Sequence, residues 1–228
     1  MSSKILGLIR LINLQFLVYV SKIGDNIMIK DIFPAPLYTF LDYADDVEIE
    51  KSILDCGAGG GFPKLALFAI NSYESHGIEL LKERLDMAEQ FAEDNNLLLN
   101  IMEGNMRKLP FESERFGFVF TYNTIFHMDK SEIGEAFNEM FRVLKKGGLL
   151  YANLLSVDDE RYGRGEETKP GTFTEEIDGE KYCHTFFMHD EGDYYFNNQK
   201  IIYKQIRIEN LIEDNYIRGM IDYIVIKE

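Results

Sequence analysis

Two cysteines, Cys56 and Cys183, are all that 228 residues contain, too few for a disulfide framework. A reducing compartment follows, and the expected location is cytoplasmic. Positive charge is scarce as well, with 24 Lys and Arg against 39 Asp and Glu and a formal net charge of −15. Affinity for nucleic acid rests on cations that neutralise phosphates, so this balance argues against a nucleic-acid partner. No Pro-, Gly- or Ser-rich linker divides the chain, and none of it is repetitive or of low complexity.

A long apolar run is missing too. The nearest approach, Ile5 to Val20, is broken by Gly7, Arg10, Asn13 and Gln15, and no small-residue cleavage site precedes residue 28. It therefore reads as neither a membrane span nor a signal peptide. Gly7, Arg10 and Asn13 fall on one side of a helix, so the segment is expected to pack on the domain or on a second copy, making a homodimer. Contact with a membrane surface and a start of translation at Met28 are the alternatives.

What is present is a globular composition, 46% apolar and 28% charged. A helix is expected to begin near Pro36. The carboxylates between Asp42 and Glu50 lack the Gly-turned spacing of a calcium loop and read as a solvated run entering a strand. From residue 52, short apolar runs alternate with amphipathic helices, which predicts parallel strands joined by crossovers. The strands are placed at 52–56, 74–78, 98–102, 116–121 and 148–155. The helices are placed at 62–71, with Pro63 in the first turn, at 81–95, with Leu81, Leu85, Ala88 and Ala92 facing inward, and at 131–144. After a Gly- and acid-rich excursion, residues 200–212 and 217–227 form two β-rich runs joined too tightly for a crossover. The fold class is thus α/β, a doubly wound, mostly parallel seven-stranded sheet that ends in an antiparallel hairpin.

Strand one runs into Leu54-Asp55-Cys56-Gly57-Ala58-Gly59-Gly60-Gly61-Phe62, where glycines let backbone approach a ligand at the carboxyl end of a strand. Glu79 follows about 20 residues on, where an acid accepts hydrogen bonds from a ribose diol. The pair selects an adenosine cofactor. The dinucleotide spacing G-x-G-x-x-G is not met, because Phe62 stands where the last glycine belongs. Asp55 gives D-x-G-x-G-x-G, and a carboxylate there suits an ammonium or sulfonium better than a pyrophosphate.

These residues, together with Gly104 to Phe111, Phe116 to His127 and Arg142 to Gly148, give the chain a resemblance to class I S-adenosylmethionine-dependent methyltransferases of the small-molecule type. The resemblance covers roughly residues 35 to 228 and implies a Rossmann-like methyltransferase fold after an N-terminal extension at 1–34. It implies S-adenosylmethionine as cofactor, framed by Asp55, Gly57, Ala58, Gly59, Glu79, Leu80, Asn105, Met106 and Tyr122. The family has Asp where this chain has Asn105. An Asn oxygen still accepts from an adenine amine, while the Met106 N–H donates to a ring nitrogen. No metal is implied.

The reaction is then an in-line displacement on a small-molecule acceptor, which needs orientation more than an obligatory catalytic residue. Where the acceptor must lose a proton, His127 is the candidate base, since it leaves the carboxyl end of strand four. The segment Thr121 to Thr124 lacks the Asn/Asp-Pro-Pro-aromatic tetrad of the family's DNA amino-methylating members. An insertion at about 156–190 resembles a substrate cover, and His184 and Tyr182 within it are expected to reach the acceptor. Two rivals stay open: a cofactor-binding regulatory or assembly protein without turnover, and a nicotinamide oxidoreductase.

Overall fold

The computed structural model describes residues 33–177, 179–212 and 215–228. The proposed apolar helix at Ile5 to Val20, and any dimer made through it, lie outside the described residues.

After Pro34 caps α1 (Ala35–Asp45), the chain lays down β1 (Ser52–Cys56), α2 (Ala66–Ile70), β2 (Glu74–Glu79), α3 (Lys82–Asp94), β3 (Ile101–Glu103), β4 (Phe116–Thr121), α4 (Lys130–Val143) and β5 (Leu144–Ser156). Strands β1 and β4 are buried at every residue because helices cover both faces, which is why they read as unbroken apolar runs. The insertion supplies β6 (Glu166–Lys169), β7 (Thr172–Ile177) and β8 (Glu180–Phe187), and the chain closes with β9 (Lys200–Leu211) and β10 (Tyr216–Ile226).

The central strands run in the order β3, β2, β1, β4, β5, β10, β9, parallel as far as β5 and antiparallel beyond it. The seven-stranded sheet with an antiparallel ending is therefore present, and the insertion enlarges it. Thr121 is the last β4 residue to pair with β5, opposite Ala152, while β5 continues to Ser156. There Leu155 and Ser156 pair in parallel with Phe186 and Phe187 of β8, while the other edge of β5 stays with β10. The three-stranded meander β6–β7–β8 is thereby hung over the carboxyl end of β4.

Two apolar layers flank the sheet. On one face Leu37, Phe40 and Leu41 of α1 and Ala66 to Phe68 of α2 pack on Ile53, Phe118, Phe120 and Tyr151. On the other, Ile133, Ala136, Phe137 and Met140 of α4 pack on Leu54, Val119 and Leu154. Helix α4 starts at a full capping box: Asp129 accepts from the N–H groups of Ser131 (2.8 Å) and Glu132 (3.1 Å), while Glu132 accepts from Asp129 N–H at 3.1 Å. Lys169 of β6 pairs with the same Asp129 and ties the insertion to this cap.

Three local expectations need correction. The helix placed at 62–71 is only α2, because Phe62 is held in the loop, stacked on Phe33 with centroids 4.7 Å apart, and Pro63 spends its carbonyl on a turn to Ala66 N–H. Leu81 does not face inward; it caps α3 in extended conformation and is exposed, as is Leu98, which lies before the short edge strand β3. The acid-rich segment is part helix: Asp45 closes α1 and binds Lys51 Nζ at 2.6 Å and Tyr73 OH at 3.0 Å.

Candidate active site at the carboxyl ends of the strands

The loop after β1 is closed by β2. Glu79, only 7% exposed, accepts from Gly59 N–H through Oε2 at 3.0 Å and from Leu81 N–H through Oε1 at 2.9 Å. A Cβ at Gly59 would overlap that carboxylate, and a Cβ at Gly57 would collide with the Thr124 side chain. Gly57 also has φ of +115°, a conformation that residues with a side chain rarely adopt. The glycines are therefore what lets the loop, Glu79 and the segment after β4 meet. Ala58 is buried against Gly77 of β2, and Leu80 stands exposed beside Glu79.

Asp55 is 2% exposed, and its pKa is raised well above the ordinary carboxylate value, first by burial and then by Glu79, with Lys64 opposing. A positively charged ligand group nearby would restore its ionised form. Thr121 Oγ1, at the carboxyl end of β4, is buried without a hydrogen-bond partner among the described residues. A glycine cradle, a presented carboxylate, a buried acid and an orphaned hydroxyl fit an adenosine cofactor that carries a sulfonium and an amino acid.

The other residues expected at the cofactor differ in what they already do. Asn105 Oδ1 accepts from Arg107 N–H at 2.9 Å and from Arg107 Nε at 3.4 Å, so that oxygen is engaged in its own turn. Met106 is partly buried against the α4 layer, whereas Tyr122 packs on the opposite layer, its ring stacked on Tyr151 at 6.4 Å.

The candidate catalytic residues come together from two distant segments. After β4 a short 3-10 turn, Ile125–His127, brings His127 beneath β8. Its ring lies 4.9 Å from that of His184, centroid to centroid, and its Nδ1 is 3.2 Å from the Cys183 carbonyl. A carbonyl only accepts, so Nδ1 carries the proton and Nε2 keeps the lone pair. His184 is buried, and its Nε2 faces Arg161 Nη1 at 3.2 Å. A guanidinium only donates, so His184 is neutral with its proton on Nδ1. Burial first, and then the Arg161 charge, lowers the pKa of His184 to about 4; burial with the same arginine also lowers that of His127. Tyr182 does not join them: it is exposed and its hydroxyl reaches Glu180 at 3.3 Å.

Beside His127 lies an open cavity of about 190 Å³, lined by Asn123, Phe126, His127, Leu155, Arg161, Arg218 and Met220. Sequence reasoning gave no role to Arg218, Asn153 or Asp159. The signal for Asn153 was a polar residue within the apolar run of β5; Arg218 stands at the start of an ordinary strand and carries no such mark.

The strand order and the glycine loop at its centre define the architecture of class I methyltransferases. Residues 54–152 match the family model described as a methyltransferase domain. A 24-methylenesterol C-methyltransferase of Arabidopsis thaliana is 30% identical over 119 residues, which are 51% of this chain and 32% of that protein. A squalene methyltransferase of Botryococcus braunii is 31% identical over 98 residues, 42% of this chain and 25% of that one. The chain thus spans between a quarter and a third of the length of these curated relatives. An S-adenosylmethionine-dependent methyltransferase of Methanosarcina mazei superposes with a TM-score of 0.71 at 22% identity, covering 86% of this chain and 99% of that one. A second one, from Clostridium acetobutylicum, gives 0.63 at 13% identity over 84% and 90%. The chain thus has the fold of S-adenosylmethionine-dependent methyltransferases, and its residues 54–152 match a methyltransferase domain. Among the described residues no helix is long and apolar enough to cross a membrane.

Proposed function

We propose that the protein transfers the methyl group of S-adenosylmethionine to a small-molecule acceptor by in-line displacement. The observation that carries this reading is the closure of the Gly57–Gly59 loop on Glu79, with Gly57 against Thr124 of the same segment that brings Asn123 and His127 to a separate cavity. When bound, the cofactor supplies an electrophilic methyl group that already has its leaving group. Asp55, Gly57, Ala58, Gly59, Glu79, Leu80, Asn105, Met106 and Tyr122 frame it, with Glu79 for the ribose diol and Asp55 for the positive end.

The chain's remaining work is to orient the acceptor, keep water out and take up a proton. His127 takes that proton at Nε2, held in position by its Nδ1–H bond to the Cys183 carbonyl. His184 has its lone pair occupied by Arg161 and acts as a positioning residue, packing behind His127. The insertion at about 156–190 covers the acceptor through β8. The relatives named for a sterol and for squalene support a small-molecule acceptor, and the charge of −15 speaks against nucleic acid. The paucity of cysteine supports a cytoplasmic protein.

Calorimetric titration with S-adenosylmethionine, S-adenosylhomocysteine and NAD tests the reading. Binding of both sulfur compounds in the micromolar range, on the order of −8 kcal/mol, with none for NAD, is the expected result. A folded chain that binds neither would sink it. Turnover on any acceptor would then separate the enzyme from a cofactor-binding protein without activity.

A further inference from the structure

The cavity beside His127 has an apolar floor and a cationic wall. Leu155 of β5 and Met220 of β10 are register partners on adjacent strands, both fully buried, and Phe126 completes the floor. The wall is Arg161 and Arg218 with the neutral side chains of His127 and Asn123, and no Asp or Glu among the described residues lines it. That is unexpected in a chain whose acids outnumber its bases by fifteen.

Arg161 is fixed from behind. Asp159, 2% exposed, receives Arg161 Nε at 3.0 Å, and its two oxygens also accept the Tyr216 hydroxyl at 2.6 and 2.5 Å. The Arg161 guanidinium stands 5.2 Å from the Tyr216 ring centre and that of Arg218 stands 5.9 Å from the same centre. Two like charges are therefore gathered around one ring, and Asp159 pairs with only one of them. Arg218 is half-buried, and its side chain makes no ion pair or hydrogen bond with any described residue. Its register partner on β9, Glu209, is committed to Arg207, which also pairs with buried Asp222 at 2.9 Å. A half-buried guanidinium without a counter-charge among the described residues, next to a second cation, favours an anion between them.

We propose that this cavity is an oxyanion subsite, in which Arg218, assisted by Arg161, holds a carboxylate or phosphate group of the methyl acceptor. The inference deepens the methyltransferase reading by naming the class of acceptor, and it rests on that reading. A volume of about 190 Å³ is below the roughly 300 Å³ at which pockets begin to enclose a drug-sized ligand, so the subsite takes the acidic end of the acceptor and a small apolar portion behind it. A planar guanidinium fork suits either anion bidentately. The acceptor is in this respect unlike a sterol or squalene, which carry no anionic group.

The test uses the full chain, with and without saturating S-adenosylhomocysteine, titrated with benzoate, phenyl phosphate and uncharged benzamide by saturation-transfer NMR. At least one anion is expected to bind tenfold or more tightly than benzamide. R218Q should abolish that preference while keeping the thermal melt and the affinity for S-adenosylhomocysteine; R218K should retain part of it. A preference confined to benzoate identifies a carboxylate, and one confined to phenyl phosphate identifies a phosphate. Equal binding of benzamide, a preference that survives R218Q, or no binding of either anion at millimolar concentration overturns the subsite. Loss of S-adenosylhomocysteine binding in folded protein sinks the methyltransferase reading instead, while the probe titrations without it still decide the subsite.

Discussion

Asn153, within β5, holds Asn123, two residues past the end of β4, through both ends of its side-chain amide. Asn153 Oδ1 accepts from Asn123 N–H at 2.8 Å, and Asn153 Nδ2 donates to Asn123 Oδ1 at 2.7 Å. Asn123 sits in the left-handed region at φ 54°, so the pair sets the sharp exit from β4 that carries Phe126 and His127 to the cavity.

Asn153→Leu keeps the branched shape of the side chain and removes both bonds at a fully buried position. We expect a loss of about 1–3 kcal/mol in urea unfolding, from the groups left unpaired on Asn123. Turnover should fall more than affinity for S-adenosylhomocysteine, because the glycine loop does not depend on this pair. Equal loss of both would mean that the pair supports the whole domain and not the His127 turn.

Gly59→Ala places a methyl group where the Glu79 carboxylate lies. The bond from residue 59 N–H to Glu79 cannot survive, and calorimetry should show S-adenosylhomocysteine binding weakened at least about tenfold, or roughly 1.4 kcal/mol, with an unchanged far-ultraviolet dichroism spectrum. Wild-type affinity in this variant would remove Glu79 from the cofactor site.

His127→Ala should lower kcat by at least about 100-fold with little change in KM, the lower range of general-base assistance. Burial and Arg161 lower the pKa of His127, so the acid limb of the wild-type pH profile should fall below the ordinary histidine value of 6.5. A variant within tenfold of wild type, with the same limb, would show that orientation alone carries the reaction.

His184 also titrates in a way that stability reports. Its folded pKa of about 4 lies below the ordinary 6.5, so the unfolded chain binds the proton more readily between those values. The contribution is fully present above pH 6.5 and is lost as the pH falls through 4. Against His184→Asn, the wild type should lose up to roughly 3 kcal/mol more across that window in urea melts at pH 7, 5.5 and 4.5. Parallel curves would show that the ring is hydrated and not buried.

Periodicity and composition were enough to determine the sheet. Runs such as Phe116 to Thr121 are apolar at every position because both faces are covered, and that demand is written locally, residue by residue. The glycine loop and Glu79 were legible for a similar reason: the steric need at Gly57 and Gly59 admits only one residue type, so it leaves a mark. Where one turn or one side-chain contact decided the outcome, the sequence was ambiguous. Phe62 could open a helix or stack on Phe33, and only the position of α1 chose the second.

What the tertiary structure alone decided is the proposed acceptor side. His127 and His184 are 57 residues apart in sequence and meet because β8 adds to the stretch of β5 that outruns β4. Arg161 and Arg218 likewise belong to a loop and a distant strand, joined around Tyr216 by the antiparallel pairing of β10 with β5. Such a site is made by long-range strand pairing between segments that are individually unremarkable, so its charge and shape exist only in the folded chain, whereas the glycine loop is contiguous and could be read before folding was considered.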